Sequence, residues 1–429
     1  MRVIPLPASA EFTGGTAPAD APIVTVRDAT TPAEGYRLEI GESDIRITSS
    51  DAAGEFYARQ TLAQLGPTPP IGVIDDAPRF AYRGAMLDGA RHFFDVSDVK
   101  RYLDDIALVK LNHLHLHLTD DQGWRIHIDS WPDLTRLGAT TAVGGARGGF
   151  FTQQDYREIV DYAAERFITI VPEIDMPGHT NAAIVAYPAL GDAPAEPYEG
   201  IEVGFSSLAI RSEDTYRFID DVVREVAAIT PGPYIHLGGD ESLATTDEDF
   251  LYFIARAMSI AAKHGKTLIG WHEMGRSREL PYGTIGQYWS YLTPQDGAAE
   301  HTLSFVEQGG RIILSPADVA YIDHKYDEST ELGLTWALGP TSIPSSYEWE
   351  PTAIIPGVGE EQILGVEAPM WTETLSTIEQ VEAMAFPRLA LIAEIAWSPK
   401  TTAPRTFASV RERVAAFGEV LDRRGIAHA

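Results

Sequence analysis

The chain has 429 residues, of which 44% are hydrophobic and 22% are charged, proportions typical of a globular protein rather than a disordered or fibrous one. Its 62 acidic and 33 basic side chains leave a formal net charge of −29, which argues against nucleic acid or an anionic membrane surface as a partner and favours a neutral or cationic ligand. There is no cysteine, so disulfide and thiol chemistry are excluded.

Residues 1–78 are predicted to form a small α+β domain. The N-terminal residues contain no apolar run long enough for a signal peptide or a membrane span, which predicts a cytoplasmic protein. β-Branched content and alternation predict strands at residues 24–26, 36–40 and 45–48. A helix is expected over residues 51–65, with Ser50 as its N-cap, followed by a loop and a linker that ends at Pro78.

Residues 79–429 are predicted to form a (β/α)8 barrel that carries the catalytic site, because short apolar runs alternate with helical stretches as in parallel βα units. The predicted strands are residues 84–87, 113–118, 168–174, 234–237, 267–270, 284–288, 311–314 and 364–366. The predicted helices are residues 99–110, 153–166, 212–229, 248–264, 298–308 and 378–396. Residues 325–361 show few regular signals and are predicted to form a long functional loop.

The fourth predicted strand ends in two glycines and two adjacent acids, Asp240 and Glu241. An isolated Asp-Glu pair most often lies in a solvated turn, since charged side chains are rarely buried. Two ionised carboxylates side by side repel each other, however, so the pKa of one is expected to be raised. A raised pKa is what a general acid needs near neutral pH.

The other strand ends carry the same kinds of side chain, and a barrel of this type builds its active site from the segments that follow its strands. These positions hold Asp88, Arg91, Asp120, Asp121, Glu173, Asp175, His179, Asp240, Glu241, Trp271, Trp289, Tyr321, Asp323, Trp371 and Glu373. Carboxylates can act on a glycosidic bond and bind hydroxyl groups, and aromatic rings stack on the apolar faces of a pyranose. The pattern therefore predicts a carbohydrate site.

Several ordered blocks between residues 36 and 399 resemble the family 20 glycoside hydrolases, the β-N-acetylhexosaminidases. The first is LDGARHF at residues 87–93, and a longer block over residues 110–125 contains HLHLTDDQGWR. PEIDMPGH follows at residues 172–179 and HLGGDE at residues 236–241. Later blocks are residues 270–271, 287–289 and 321–323, with GVEAPMWTE at residues 365–373.

This resemblance implies a substrate-assisted retaining mechanism, in which the 2-acetamido oxygen of the substrate attacks the anomeric carbon. Glu241 is then the general acid that protonates the leaving oxygen and afterwards the base that activates water. Asp240 orients the acetamido group and stabilises the oxazolinium-like charge, while Tyr321 donates a hydrogen bond to the acetamido oxygen. His179 and Asp120 form a relay that tunes Glu241.

The remaining site residues implied by the resemblance bind the sugar. The walls of the acetamido pocket are Trp271, Trp289 and Trp371. The hydroxyl groups of the non-reducing terminal sugar are bound by Arg91, Asp323 and Glu373. The expected substrate is an oligosaccharide or glycoconjugate that ends in β-linked N-acetylglucosamine or N-acetylgalactosamine, cleaved in exo fashion without a cofactor or a metal ion. The aglycone and the oligomeric state are left open.

Two other functions fit parts of the sequence. His113, His115 and His117 alternate along one predicted strand, so they share a face and could present ligands for a metal-dependent amidohydrolase. Against this, no lysine or further histidine stands at the later strand ends where such a site would need it. A carbohydrate-binding protein without catalysis would keep the tryptophans, but it would not need Asp240, Glu241 and Tyr321 together.

Overall fold

A computed structural model describes residues 2–429. Its N-terminal part is a five-stranded sheet with one helix on a face. The elements are β1 (Ser9–Thr16), β2 (Ile23–Arg27), β3 (Tyr36–Ile40), β4 (Ile45–Ser49), α1 (Ala52–Leu65) and β5 (Pro70–Asp76). The strands lie in the order β1-β5-β3-β4-β2, and α1 packs on β3 and β4.

The three strands predicted here are confirmed as β2, β3 and β4, whereas β1 and β5 were not predicted. The missed strands pair with each other, with Ser9 opposite Asp75, and β5 also pairs with β3; no local pattern reveals these pairings. The predicted cap of α1 is also wrong by one residue. Asp51 caps the helix, because its carboxylate accepts a hydrogen bond from the Gly54 N–H at 2.7 Å.

The remaining strands build a closed barrel and one short hairpin. They are β6 (Tyr82–Asp88), β7 (His113–His117), β8 (Thr119–Asp120), β9 (Gly123–Trp124), β10 (Thr169–Glu173), β11 (Tyr234–His236), β12 (Thr267–Trp271), β13 (Ile285–Tyr288), β14 (Ile312–Leu314) and β15 (Ile363–Ala368). β8 and β9 pair with each other, and the other eight strands close a parallel barrel in the order β10-β11-β12-β13-β14-β15-β6-β7. The predicted (β/α)8 fold is confirmed, and the domain boundary proposed at residues 78/79 lies between β5 and β6.

The helices around the barrel are α2 (Val96–Leu108), α3 (Asp133–Arg136), α4 (Gln153–Ala164), α5 (Asn181–Ala186), α6 (Glu213–Ile229), α7 (Asp247–Ala261), α8 (Ala298–Glu307), α9 (Ala317–Ala320), α10 (Ile378–Ala385), α11 (Arg388–Trp397) and α12 (Phe407–Arg424). The helix predicted over residues 378–396 is in fact two helices, α10 and α11, which meet at Pro387, a residue without a backbone N–H. α12 was not predicted. It is anchored by a buried ion pair between Arg413 and Glu394, with Nη2 and Oε1 at 2.8 Å.

Inside the barrel, side chains form layers of different character. One layer is apolar: Tyr82, Val171, Ile269, Ile285, Ile313 and Leu364. Nearer the carboxyl ends of the strands, the inward side chains become polar and charged, beginning with His115, Glu173 and Glu367, all fully buried. The long loop predicted over residues 325–361 contains only short 3-10 turns, at Pro351–Ala353 and from Glu360, as expected. Among residues 2–429, no helix combines the length and the apolar character needed to cross a membrane.

Candidate active site

The adjacent acids lie at the carboxyl end of β11, where two glycines turn the chain sharply. Gly238 and Gly239 have φ values of 64° and 100°. A Cβ on Gly238 would come within 1.6 Å of the Asp175 carboxylate, so only glycine fits there. The Gly239 N–H donates to that same carboxylate at 3.1 Å. The turn leaves Glu241 at a φ of 42°, a rare conformation for a side-chain-bearing residue and one that clusters at functional sites.

The raised pKa expected in this pair falls on Asp240. Burial of its carboxyl group, reinforced by the charges of Glu241 and Glu173 and opposed by His179, raises the pKa of Asp240 to about 6. A raised pKa was expected for the general acid, a role that the family resemblance assigns to Glu241. The raised pKa belongs instead to Asp240, on which burial acts more strongly, since its side chain is only 11% exposed and that of Glu241 is 32% exposed.

His179 lies between the acid pair and Asp120. Its Nδ1 is 3.1 Å from Asp120 Oδ1, and its Nε2 is 3.5 Å from Glu241 Oε2 and 3.7 Å from Asp240 Oδ2. Burial opposes charge on the imidazole, but Asp120, Asp240 and the nearby Asp175 hold the pKa of His179 well above its ordinary value. The structure thus brings four of the predicted residues into one hydrogen-bonded and charged group.

Of the three residues expected to bind hydroxyl groups, Arg91 and Asp323 are buried and Glu373 is partly buried. Arg91 Nη2 forms an ion pair with Asp120 Oδ2 at 2.9 Å, and its guanidinium lies 4.8 Å from the ring centre of Trp371. Burial, together with the neighbouring charge of Glu373, raises the pKa of Asp323 well above its ordinary value. Within residues 2–429, neither Asp323 oxygen has a hydrogen-bond partner. Buried polar atoms without partners are costly, so this carboxyl group is suited to a ligand that donates hydrogen bonds.

The residues predicted to form an aromatic wall lie close together. Trp271 and Trp371 lie with ring centres 6.2 Å apart, and Tyr321 lies 6.4 Å from Trp371. Trp289 packs against the same cluster. A cavity of about 500 Å³ is lined by Trp289, Glu241 and Tyr291. Acidic and aromatic side chains thus line this cavity together, which suits a sugar.

The three histidines of β7 do not form a single set of metal ligands. His113 bonds to Asn112 Oδ1 at 2.6 Å and stacks on Tyr82 at 4.0 Å. Burial lowers the pKa of His113 to about 3. His115 and His117, in contrast, each contact two carboxylates. The three histidines that were predicted to share a face therefore bind different partners: His113 binds an amide, and His115 and His117 bind carboxylates.

Comparison with known proteins identifies the family. The profile described as "Glycosyl hydrolase family 20, catalytic domain" matches residues 80–248 and 242–400, and "Glycosyl hydrolase family 20, domain 2" matches residues 6–77. The chain belongs to glycosyl hydrolase family 20. It is thus a glycoside hydrolase of the β-N-acetylhexosaminidase family, as its motifs indicated.

Family 20 relatives cover nearly all of the chain. A β-N-acetylhexosaminidase of Cellulomonas fimi is 42% identical over 98% of this chain and 85% of its own length. For a β-hexosaminidase of Porphyromonas gingivalis, the identity is 35% over 92% of this chain and 54% of that protein. Among solved structures, a family 20 β-N-acetylglucosaminidase superposes with a TM-score of 0.96 at 48% identity, covering 100% and 98% of the two chains. A Streptomyces plicatus β-hexosaminidase in complex with thio-NAglucal gives 0.95 at 42% identity, covering 100% and 96%.

Sequence reasoning missed two neighbours of the family 20 site. Trp336, on the long loop between β14 and β15, lies edge-on to Trp289 at 5.9 Å and to Tyr321 at 5.7 Å. Glu273 accepts a hydrogen bond from Trp289 Nε1, at 3.0 and 2.9 Å from its two oxygens. The available signals were a lone tryptophan in a long loop and an acid two residues after Trp271.

Proposed function

We propose that this family 20 hydrolase removes terminal β-linked N-acetylglucosamine from the non-reducing end of oligosaccharides or glycoconjugates, with retention of configuration. The observation that carries the proposal is that both neighbouring acids lie close to one nitrogen, His179 Nε2, at 3.7 Å for Asp240 and 3.5 Å for Glu241. Two adjacent acids of unequal exposure are suited to two different atoms of one sugar. The more exposed Glu241 is suited to proton transfer, and the buried Asp240 to stabilising a positive charge.

In the first step, the acetamido carbonyl oxygen forms a bond to the anomeric carbon as the bond to the leaving oxygen breaks. Glu241 gives its proton to that leaving oxygen. The ionised Asp240 accepts a hydrogen bond from the acetamido N–H and stabilises the oxazolinium-like charge. Tyr321 donates a hydrogen bond to the acetamido oxygen. The cavity beside Glu241 and Trp289 accommodates the leaving group.

In the second step, Glu241 takes a proton from water, and the water oxygen attacks the anomeric carbon from the face that the leaving group vacated. The ring closed by the acetamido oxygen opens, which regenerates the acetamido group and retains the β configuration. His179 and Asp120 support Glu241 through the contacts described above. Buried Arg91 and Asp323 and partly buried Glu373 bind the hydroxyl groups of a terminal sugar, as an exo-acting enzyme requires.

The experiment compares an aryl N-acetyl-β-glucosaminide with the matching aryl β-glucoside. The glucoside has no acetamido nucleophile and no group for the tryptophan pocket, so we expect it to be almost inert, with the loss in kcat as well as KM. A cyclic thiazoline that mimics the oxazoline should bind far more tightly than the product sugar. Comparable turnover of the two glycosides, or a covalent glycosyl adduct on any carboxylate, would overturn the proposed mechanism.

A further inference from the structure

A chain of alternating acids and histidines runs through the barrel below the proposed site. His115 Nδ1 is 2.9 Å from Glu367 Oε1, and His115 Nε2 is 3.0 Å from Glu173 Oε2. His117 Nδ1 bonds to the same Glu173 oxygen, and His117 Nε2 is 2.8 Å from Asp120 Oδ2. We call these five residues the acid–imidazole ladder. It leads from the barrel core to Asp120, which contacts His179.

The partners decide how many protons the two histidines carry. A carboxylate only accepts hydrogen bonds when ionised, so a histidine with a carboxylate at each ring nitrogen must carry two N–H groups to satisfy both. Both ladder histidines are then imidazolium ions, each between two anions. Burial opposes this charge, but Glu367 and Glu173 raise the pKa of His115 to about 9. The pKa of His117 is likewise held well above its ordinary value, against the effect of burial, by Glu173 and Asp120.

Glu173 connects the ladder to the aromatic wall. Its Oε2 accepts from both ladder histidines, and its Oε1 accepts from Trp271 Nε1 at 3.0 Å. His236 Nδ1 also lies 3.0 Å from Oε1. The carboxylate is fully buried. A single buried anion is thereby shared by the relay side of the site and by a wall of the acetamido pocket.

Asp120 contacts four groups. Oδ2 accepts from His117 and forms an ion pair with Arg91 Nη2, and Oδ1 accepts from His179 Nδ1 and from the Asp121 N–H. If His117 loses its second proton, its hydrogen bond to Asp120 is lost. The carboxylate that holds His179 is then held by one contact fewer.

We propose that Glu173 is a positioning residue of the hydrolase, which keeps His117 doubly protonated against Asp120 and holds Trp271 in place. This inference rests on the proposed function for its kinetic consequence, but not for the protonation of the ladder. The groups that face His117 are Glu173 from β10, Asp120 from β8, Asp175 after β10 and the ring of Trp371. Burial and the charge of Asp240 raise the pKa of Asp175 well above its ordinary value, so Asp175 is a weaker anionic partner for His117 than Glu173 or Asp120.

The kinetic test uses Glu173→Gln, which keeps the shape but removes the negative charge. Without that anion the pKa of His117 falls, so His117 becomes neutral as the pH rises through its new pKa. We expect the alkaline limb of kcat/KM to move to lower pH, with the ratio of activity at pH 8 to that at pH 5.5 falling about tenfold relative to wild type for each unit by which the new pKa of His117 lies below 8. KM should also rise, because the amide cannot accept from all its former donors.

The matched control is His113→Gln, which changes a buried histidine on the same strand that contacts no carboxylate. This variant should keep the wild-type pH ratio. A Glu173→Gln enzyme that folds and loses activity by one factor at every pH, or that keeps the wild-type profile, would refute the positioning role.

A second measurement applies if Glu173→Gln fails to fold. In wild-type enzyme labelled with ¹⁵N-histidine, two buried histidines besides His179, whose signal is assigned from His179→Gln, should show both ring nitrogens protonated at pH 8. The histidine whose signal disappears in His113→Gln should be neutral. A spectrum in which no histidine other than His179 is doubly protonated at pH 8 would overturn the proposal whatever the variants do. Failure of the wild-type protein to cleave the N-acetyl-β-glucosaminide would instead refute the proposed function, and the ¹⁵N result would still stand.

Discussion

Protonation of Asp240 should set the acid limb of the reaction in the free enzyme. The proposed mechanism needs this carboxyl ionised, and its pKa is raised to about 6, chiefly by burial. One pH unit below a pKa, about a tenth of the groups is ionised. We therefore expect kcat/KM for an aryl N-acetyl-β-glucosaminide to fall about tenfold for each pH unit below about 6.

The variant Asp240→Asn tests the assignment, because an amide does not titrate. It should be strongly impaired, and its residual kcat/KM should lack the limb near pH 6. Asp247→Asn is the control, since the Asp247 side chain is 88% exposed and should leave the wild-type profile unchanged. Thermal unfolding measured at each pH separates loss of fold from loss of the ionised group. A limb near pH 6 that persists unchanged in Asp240→Asn would refute the reasoning.

Three further predictions follow from the same geometry. Glu241→Gln should reduce kcat by about 10²–10⁴-fold while leaving product binding nearly intact. The loss of kcat should be smaller for aryl substrates with very acidic leaving groups, and equal losses for good and poor leaving groups would contradict the general-acid role. Arg91→Ala should lower kcat/KM by a factor equivalent to roughly 2–4 kcal/mol of transition-state stabilisation, because the guanidinium is lost from Asp120 and the neighbouring buried acids. Full activity of this variant would show that the hydroxyl-binding group is wrongly assigned. Asp240→Asn should also stabilise the fold above pH 6 by about 1–3 kcal/mol but not near pH 4. The reason is that an acid whose pKa is raised in the folded state destabilises the protein only at pH values where it is ionised. Equal melting temperatures of variant and wild type at pH 7.5 would count against the raised pKa.

The barrel could be predicted because its signals are local. Each buried parallel strand is a short apolar run, and each helix between strands has its own periodicity, so all eight barrel strands were found. The missed elements depend on distant partners. β1 and β5 are neighbours in the sheet but lie at opposite ends of the N-terminal domain in sequence, with Ser9 opposite Asp75, and α12 is held by Arg413 bonding to Glu394 on another helix.

The sequence by itself determined the family and the identity of the candidate site residues, because these lie in short blocks at strand ends and a parallel barrel brings strand ends together. Only the tertiary structure decided their protonation and their support. Burial, which no motif encodes, raises the pKa of Asp240, although the general-acid role is expected for Glu241. The same is true of Glu173, whose histidine and tryptophan partners come from three other strands and meet it only when the barrel closes.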